Sequence, residues 1–402
     1  MEPRRRPPVL AEEELRRRVR AFAEAEIAPR IPYLETAGVP DRALLDAIAR
    51  HGWTSITIPA RYGGMDAGHR TKTVVIEELS RISGAAGAAA QAAELGTAMI
   101  LNLGSPSMRE EWLPRIAQGV CLPTIAVTEP GSGSHVLGME TTARRKGRGW
   151  VLTGRKDYVG NAHTSDLHCV VARTGKPGRP DSLTAFLVET GRPGLMTTPH
   201  PRSLGLRGFS FGELVLDRVR IPEEHVIGTV GGGLAAAYSS SVLHGRANLA
   251  AVAVGLHQAT LDQAVRHTTT TTRYGRPLAA PPVIRQGIGQ ITAALRVSRH
   301  TLHAATALLD AGQPCDSDLI SAKYQAVNAA IAATLTGLRL HGAAGLRCDL
   351  PMERYHRDAL CLEPPAGTSD IQLLRLAEDA LGEARTPGPS ASATPAAERH
   401  RP

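Results

Sequence analysis

MERYHRDALCLEPPAGTSDIQLL, residues 352–374, is the stretch from which the rest of the chain can be ordered. Glu353, Arg354, Arg357 and Asp358 recur three and four apart, the spacing that brings charged side chains together on one helical face, and this predicts a half-buried ion cluster at a helix end. Two prolines and a glycine between 363 and 368 then turn the chain sharply. Thr368 or Ser369 is placed to cap a fresh helix with apolar positions Ile371, Leu374, Leu376 and Leu381. A loop held between a charged helix end and a new helix N-terminus exposes backbone N–H groups and suits a binding site. The same spacing also describes an ordinary helix–turn–helix corner.

The chain has 402 residues, 42% of them hydrophobic, enough for a large core divided into two or three subdomains. No apolar run approaches the roughly 18–20 residues of a membrane span, and MEPRRRPPVL lacks the apolar core of a signal peptide, so a cytoplasmic protein without membrane partners is expected. Five scattered cysteines form no CxxC pair, which argues for reduced core thiols rather than zinc or disulfides. The net charge of +8 is compatible with a phosphate-bearing small partner. Nucleic acid is not expected, because aromatic residues make up only 3% and the arginines are dispersed. Residues 386–402, rich in Pro, Ala and Ser, are expected to be disordered.

Helical periodicity covers 10–31, 41–52, 71–81 and 85–103, an N-terminal α-bundle, and the small residues between 83 and 98 allow close helix contacts. From about 121 to 221 the period falls to two, through Trp150-Leu152, Leu167-Cys169-Val171 and Leu183-Ala185-Leu187, which predicts a small β-domain. Helices return at 244–266, 280–309 and 318–340. The fold class is therefore α+β, with domains at 1–120, 121–228 and 229–385 and a tail at 386–402. His163 and His168, five apart in a β-like segment, do not share a face, and no metal site is expected. GSGSH is not a GxSxG nucleophile elbow.

ERxxRDA followed by a short strand-like run and GTSDI, together with AVTEPGSGSH at 126–135, IPARYGG and WLPRIAQG, resembles the acyl-CoA dehydrogenase superfamily of flavoproteins over roughly residues 10–381. The resemblance implies an N-terminal α-bundle, a middle β-domain and a C-terminal four-helix bundle. It also implies FAD, an acyl thioester on CoA or an acyl-carrier protein, and a homodimer or homotetramer sharing its cofactor sites. Of the residues matching flavin-contact positions, Thr128, Ser134, Thr368 and Asp370 carry the pattern, and Tyr274-Gly275 stands where the family has Phe-Gly.

Several positions depart from that pattern. The residue before the GT pair, usually the glutamate that removes the substrate α-proton, is Ala366, and the alternative base position before Arg246 is Gly245. Glu363, three residues before Ala366, and Arg246 are the remaining catalytic candidates. In KDYVGNA the family's Trp is Tyr158 and its hydroxyl residue facing flavin N5 is Gly160. The pyrophosphate arginine falls at Thr271, a nearby glutamine is Pro282, the glutamine opening RLHGAAGL is Arg339, and the first motif ends in His135 instead of Asp. The resulting expectation is a flavin-linked oxidoreductase of acyl thioesters with weakened FAD binding. A flavin monooxygenase, which needs no α-proton base, and a flavin-free non-redox enzyme or inactive partner subunit are the alternatives.

Overall fold

The computed structural model describes residues 12–38 and 40–382. The expected disordered tail and the first residues of the expected N-terminal helix lie outside them.

Leu15, Val19, Ala23 and Ile27 are spaced to bury one stripe, yet the expected single helix over 10–31 is divided. Helix α1 (Glu12–Phe22) passes into a π turn (Ala23–Ile27) and a 3-10 turn (Ala28–Arg30), because Pro29 has no N–H to continue the α pattern. Helices α2 (Ile31–Ala37), α3 (Arg42–Arg50), α4 (His69–Ile82), α5 (Gly84–Leu103) and α6 (Pro106–Ala117) complete the first bundle. Asp41 caps α3 by accepting from Leu44 N at 3.0 Å, and Ser105 caps α6 by accepting from Met108 N at 3.1 Å. The small residues of α5 admit close neighbours: a methyl on Gly96 would stand 2.8 Å from the Pro123 Cβ.

The middle of the chain is one eight-stranded sheet: β1 (Pro123–Ala126), β2 (Thr142–Lys146), β3 (Gly149–Gly160), β4 (Leu167–Arg173), β5 (Leu183–Glu189), β6 (Leu195–Pro199), β7 (Phe211–Pro222) and β8 (Val226–Ile227). Its order is β6-β7-β3-β2-β4-β5-β8, and β1 pairs parallel to β4 with Ile125 opposite Cys169. Alternation buries Trp150, Leu152, Leu214 and Leu216 on one face, where Trp150 meets Phe186 edge-on at 5.5 Å.

A last helical block begins at α7 (Gly233–Ala237), which continues through a π turn (Tyr238–His244) into α8 (Gly245–Thr270). The expected start at 244 is thus the end of that π turn. A ribbon of β9 (Thr272–Arg273) and β10 (Arg276–Pro277) leads to α9 (Pro282–Asp310), and α10 (Asp316–His341), α11 (Met352–Leu360) and α12 (Ser369–Ala380) follow. Residues 352–360 are a complete short helix rather than the end of a longer one, and 361–368 turn without the expected strand. The prolines at 364 and 365 remove the donors a strand pairing would need. α4 and α5 lie against α8, so the two helical blocks share one core containing Ile76, Ala92, Leu243, Val252 and Val254.

Candidate functional site

The charges of α11 join the domains. Arg357 donates to Glu353 at 2.6 Å, to Glu35 at 2.7 Å and to the Leu204 carbonyl at 2.9 Å. Asp358 accepts from Leu206 N at 2.6 Å, and Arg354 donates to the Ile82 carbonyl at 3.4 Å. The ERxxRDA pattern is therefore a clamp among the N-terminal bundle, the loop before β7 and the C-terminal bundle. Asp358 is only 1% exposed, and burial pushes its carboxyl up to about 6 against the opposing charge of Arg354.

The loop after α11 is held from below by a residue that sequence reading did not single out. Lys323 of α10, fully buried, donates to the carbonyls of Glu363 at 2.6 Å and Gly367 at 2.9 Å, and burial lowers its ammonium to about 8. Its only sequence signal is a lysine within the alanine-rich stretch of that helix. The Glu363 carboxylate accepts from Ser369 N at 2.7 Å, so it caps α12 beside Thr368, whose hydroxyl accepts from Ile371 N at 3.4 Å. Asp370 is exposed in the first turn of the same helix.

Ala366 adopts a left-handed φ of 56° at the top of this loop. A methyl on Gly245 would stand 3.3 Å from the Ala366 Cβ and 3.9 Å from Leu95 Cδ2 of α5. The two positions at which the resemblance expects a base therefore face each other across the seam between α5 and α8, and neither carries a carboxylate. Arg246, next in line, is 4% exposed and committed to Asp316 at 2.5 Å, an anion that also accepts from the Tyr238 hydroxyl at 2.6 Å.

The β-domain motifs reach the same seam through α5. Lys156 pairs with Glu129 at 2.7 Å and donates to the Val127 carbonyl at 2.9 Å, while Asp157 N donates to the Thr128 carbonyl at 2.8 Å, locking AVTEPGSGSH to KDYVGNA. Burial draws Lys156 down to about 8; burial also opposes the Glu129 carboxylate, but Lys156 overcomes this and holds its pKa below the ordinary value. A methyl on Gly160 would come within 2.8 Å of Phe209 Cζ and 3.4 Å of the Ala92 Cβ. Ala92 and Leu95 are one helical turn apart, which brings Gly160 and Ala366 into one neighbourhood. Thr128 is half-buried and Ser134 exposed at the motif's end; Tyr158, at φ 51°, is exposed and leans on His200 at 5.0 Å.

Tyr274 and Arg339 stand outside this neighbourhood, Tyr274 fully exposed on the β9–β10 ribbon and Arg339 exposed near the end of α10. Thr271 caps α8, its hydroxyl 3.3 Å from His267 Nδ1, and Pro282 opens α9. Among the described residues no group of three or more His, Cys, Asp or Glu is arranged to hold a metal, and no helix is long and apolar enough to cross a membrane.

Residues 11–120, 124–219 and 231–381 match, in turn, the N-terminal, middle and C-terminal domains described for acyl-CoA dehydrogenase. An acyl-CoA dehydrogenase of Bacillus subtilis strain 168 is 32% identical over 369 residues, covering 92% of this chain and 97% of the relative. The chain belongs to the acyl-CoA dehydrogenase family. Butyryl-CoA dehydrogenase from Megasphaera elsdenii superposes with a TM-score of 0.89 at 25% identity, covering 92% of this chain and 98% of that one. A glutaryl-CoA dehydrogenase from Mycobacterium smegmatis, solved with FADH2, has the same fold, with a TM-score of 0.87 at 24% identity over 94% of this chain and 96% of that one. By family the chain is an acyl-CoA dehydrogenase-type flavoprotein oxidoreductase, as its motifs implied, and the three-part α+β architecture agrees with the expected one.

Proposed function

We propose that this chain acts as a flavin-linked oxidoreductase on an acyl thioester of CoA or of an acyl-carrier protein, with the protein base of ordinary dehydrogenation removed. The observation that carries this reading is the contact between positions 245 and 366, which keeps the meeting point of the family's site while leaving both members without a carboxylate. Losing a positioned base costs about 10²–10⁴ in rate, so efficient desaturation of a saturated acyl-CoA is not its reaction.

The residues fit FAD unevenly. Thr128, Ser134 and Thr368 would hold it on the ring side, on a strand end locked by the Glu129–Lys156 pair and a loop locked by Lys323. FAD, when bound, supplies a two-electron acceptor. At the pyrophosphate, Thr271 offers a hydroxyl where an arginine would give a charge-assisted pair. Tyr274, Arg339 and Asp370 are assigned to a neighbouring subunit's cofactor in a homodimer or homotetramer. Exposed Val283, Val297, Leu335, Leu373 and Leu374 on α9, α10 and α12 support self-association, and light scattering of a monomer at micromolar concentration would count against it.

One observation favours a flavin-free descendant: Phe209 fills the space that a side chain at 160 would take. Calorimetric titration with FAD separates the two. We expect weak binding by the natural chain and binding tighter by about tenfold or more in Thr271→Arg, since a hydrogen bond to a charged group contributes roughly 1.5–3 kcal/mol. No affinity in either protein would establish the flavin-free reading. The compartment proposed is the cytoplasm; export of the full chain by its source cell would exclude it.

A further inference from the structure

Lys323 is bound in a way that tying a loop does not require. It is fully buried, and its ammonium donates to two neutral oxygens, the carbonyls of Glu363 and Gly367, instead of to a carboxylate. Gln372 of α12, also fully buried, donates to the same Gly367 carbonyl at 2.9 Å with an uncharged amide. A neutral donor therefore already serves one end of the loop, whereas a buried ammonium carries a desolvation cost.

Between the two carbonyls, Pro364 and Pro365 have no N–H, and Ala366 and Gly367 both take a left-handed φ, of 56° and 96°. Glu363 N donates to the Leu360 carbonyl at 3.3 Å and Ser369 N to the Glu363 carboxylate at 2.7 Å. The N–H groups of Ala366, Gly367 and Thr368 make no hydrogen bond among the described residues. The loop is thus polar in one sense: the carbonyls at its two ends turn in to one cation, and three successive amides are left over at and beside Ala366, which meets position 245. The Gly367–Thr368 peptide links the two sides directly. A cation on its carbonyl polarises its N–H into a stronger donor.

We propose that Lys323 is a positioning residue for the thioester, its charge orienting and polarising the 366–368 amides that receive the substrate's carbonyl oxygen. The inference rests on the acyl-thioester reading above, and the choice of probes keeps the two apart. Burial lowers the Lys323 ammonium to about 8; the Glu363 carboxylate opposes that shift, and Arg246 of α8, paired with Asp316, adds to it. No charge of α9, α11 or α12 contributes. The charge is therefore present below pH 8 and is lost as pH rises through it. The neutral amine still has two N–H groups, so the loop stays tied, by bonds roughly half as strong.

The test titrates the FAD-supplemented full chain with butyryl-CoA, with S-butyl-CoA, a thioether that lacks the carbonyl oxygen, and with free CoA, at about pH 7 and about pH 9.5. At the lower pH butyryl-CoA is expected to bind about fivefold or more tightly than S-butyl-CoA. At the higher pH, and at either pH in Lys323→Met, that ratio is expected to fall to about twofold or less, while S-butyl-CoA binds as before. If Lys323→Met does not fold, the pH series on the natural chain decides alone. Equal binding of the two ligands at the lower pH, a ratio that survives the higher pH or the variant, or a loss of both ligands together overturns the inference and leaves the acyl-thioester reading standing. If neither ligand binds better than free CoA at the lower pH, both fall together.

Discussion

Helix α11 and the α5–α8 seam both bury polar side chains, and they treat them in opposite ways. On α11, Arg357 donates to oxygens of three residues and Asp358 takes a backbone N–H from across a domain boundary. In the seam, Gln91, Asn248 and His244 are as deeply buried, and each keeps a polar atom unmatched. Satisfied polar groups stabilise one arrangement of the domains, whereas a buried polar atom left unmatched costs the fold free energy. The contrast places the motif with the strongest family signature in the joining of the domains, while the two positions at which the resemblance expects a base hold only small residues.

The comparison breaks most visibly at Asp358. Asp358→Ala leaves Leu206 N without its acceptor and the buried Arg354 with less compensation, and we expect a loss of about 3 kcal/mol in urea unfolding. A loss below roughly 1 kcal/mol would mean α11 is no clamp.

A smaller effect is expected from pH. The folded Asp358 carboxyl titrates at about 6, above its ordinary 3.8, so between those values the folded state binds more protons than the unfolded one. Its contribution to stability is full below pH 4 and is lost as pH rises through 6, a change of roughly 1–3 kcal/mol. Asp358→Asn should flatten that slope while still offering an oxygen to Leu206 N; an unchanged slope would assign it to other groups.

The smallest effect belongs to the seam. Gln91→Leu replaces an unmatched amide by an apolar group of similar size and is expected to shift stability by less than about 1 kcal/mol in either direction. Destabilisation comparable with Asp358→Ala would show that the amide is satisfied in the free protein, and the contrast would vanish.

The helices and strands were legible because periodicity of 3.6 and of two reports burial directly. Boundaries were lost where backbone chemistry intervened, as at Pro29, where α1 gives way to π and 3-10 turns, and at 361–368, where two prolines exclude a strand. The absent bases were legible as Ala366 and Gly245, but their contact across the seam was not, since they stand over a hundred residues apart and the loop is set by Lys323 from a third helix. Phe209 was invisible for a similar reason: its importance lies in the missing side chain at Gly160, which only the packing reveals. Gln91 and Asn248 read as ordinary helix residues until their partners could be counted.

The central claim, that a dehydrogenase site persists here without its base, is tested most directly by anaerobic flavin reduction in Ala366→Glu supplied with FAD and a short saturated acyl-CoA. Gly245, having no side chain, leaves room for the new carboxylate, although the left-handed backbone at 366 costs about 1–2 kcal/mol for a residue other than glycine. We expect reduction at least about 100-fold faster than in the natural chain. No acceleration, with FAD bound and the variant folded, would mean that no thioester is held at that loop and would contradict the account.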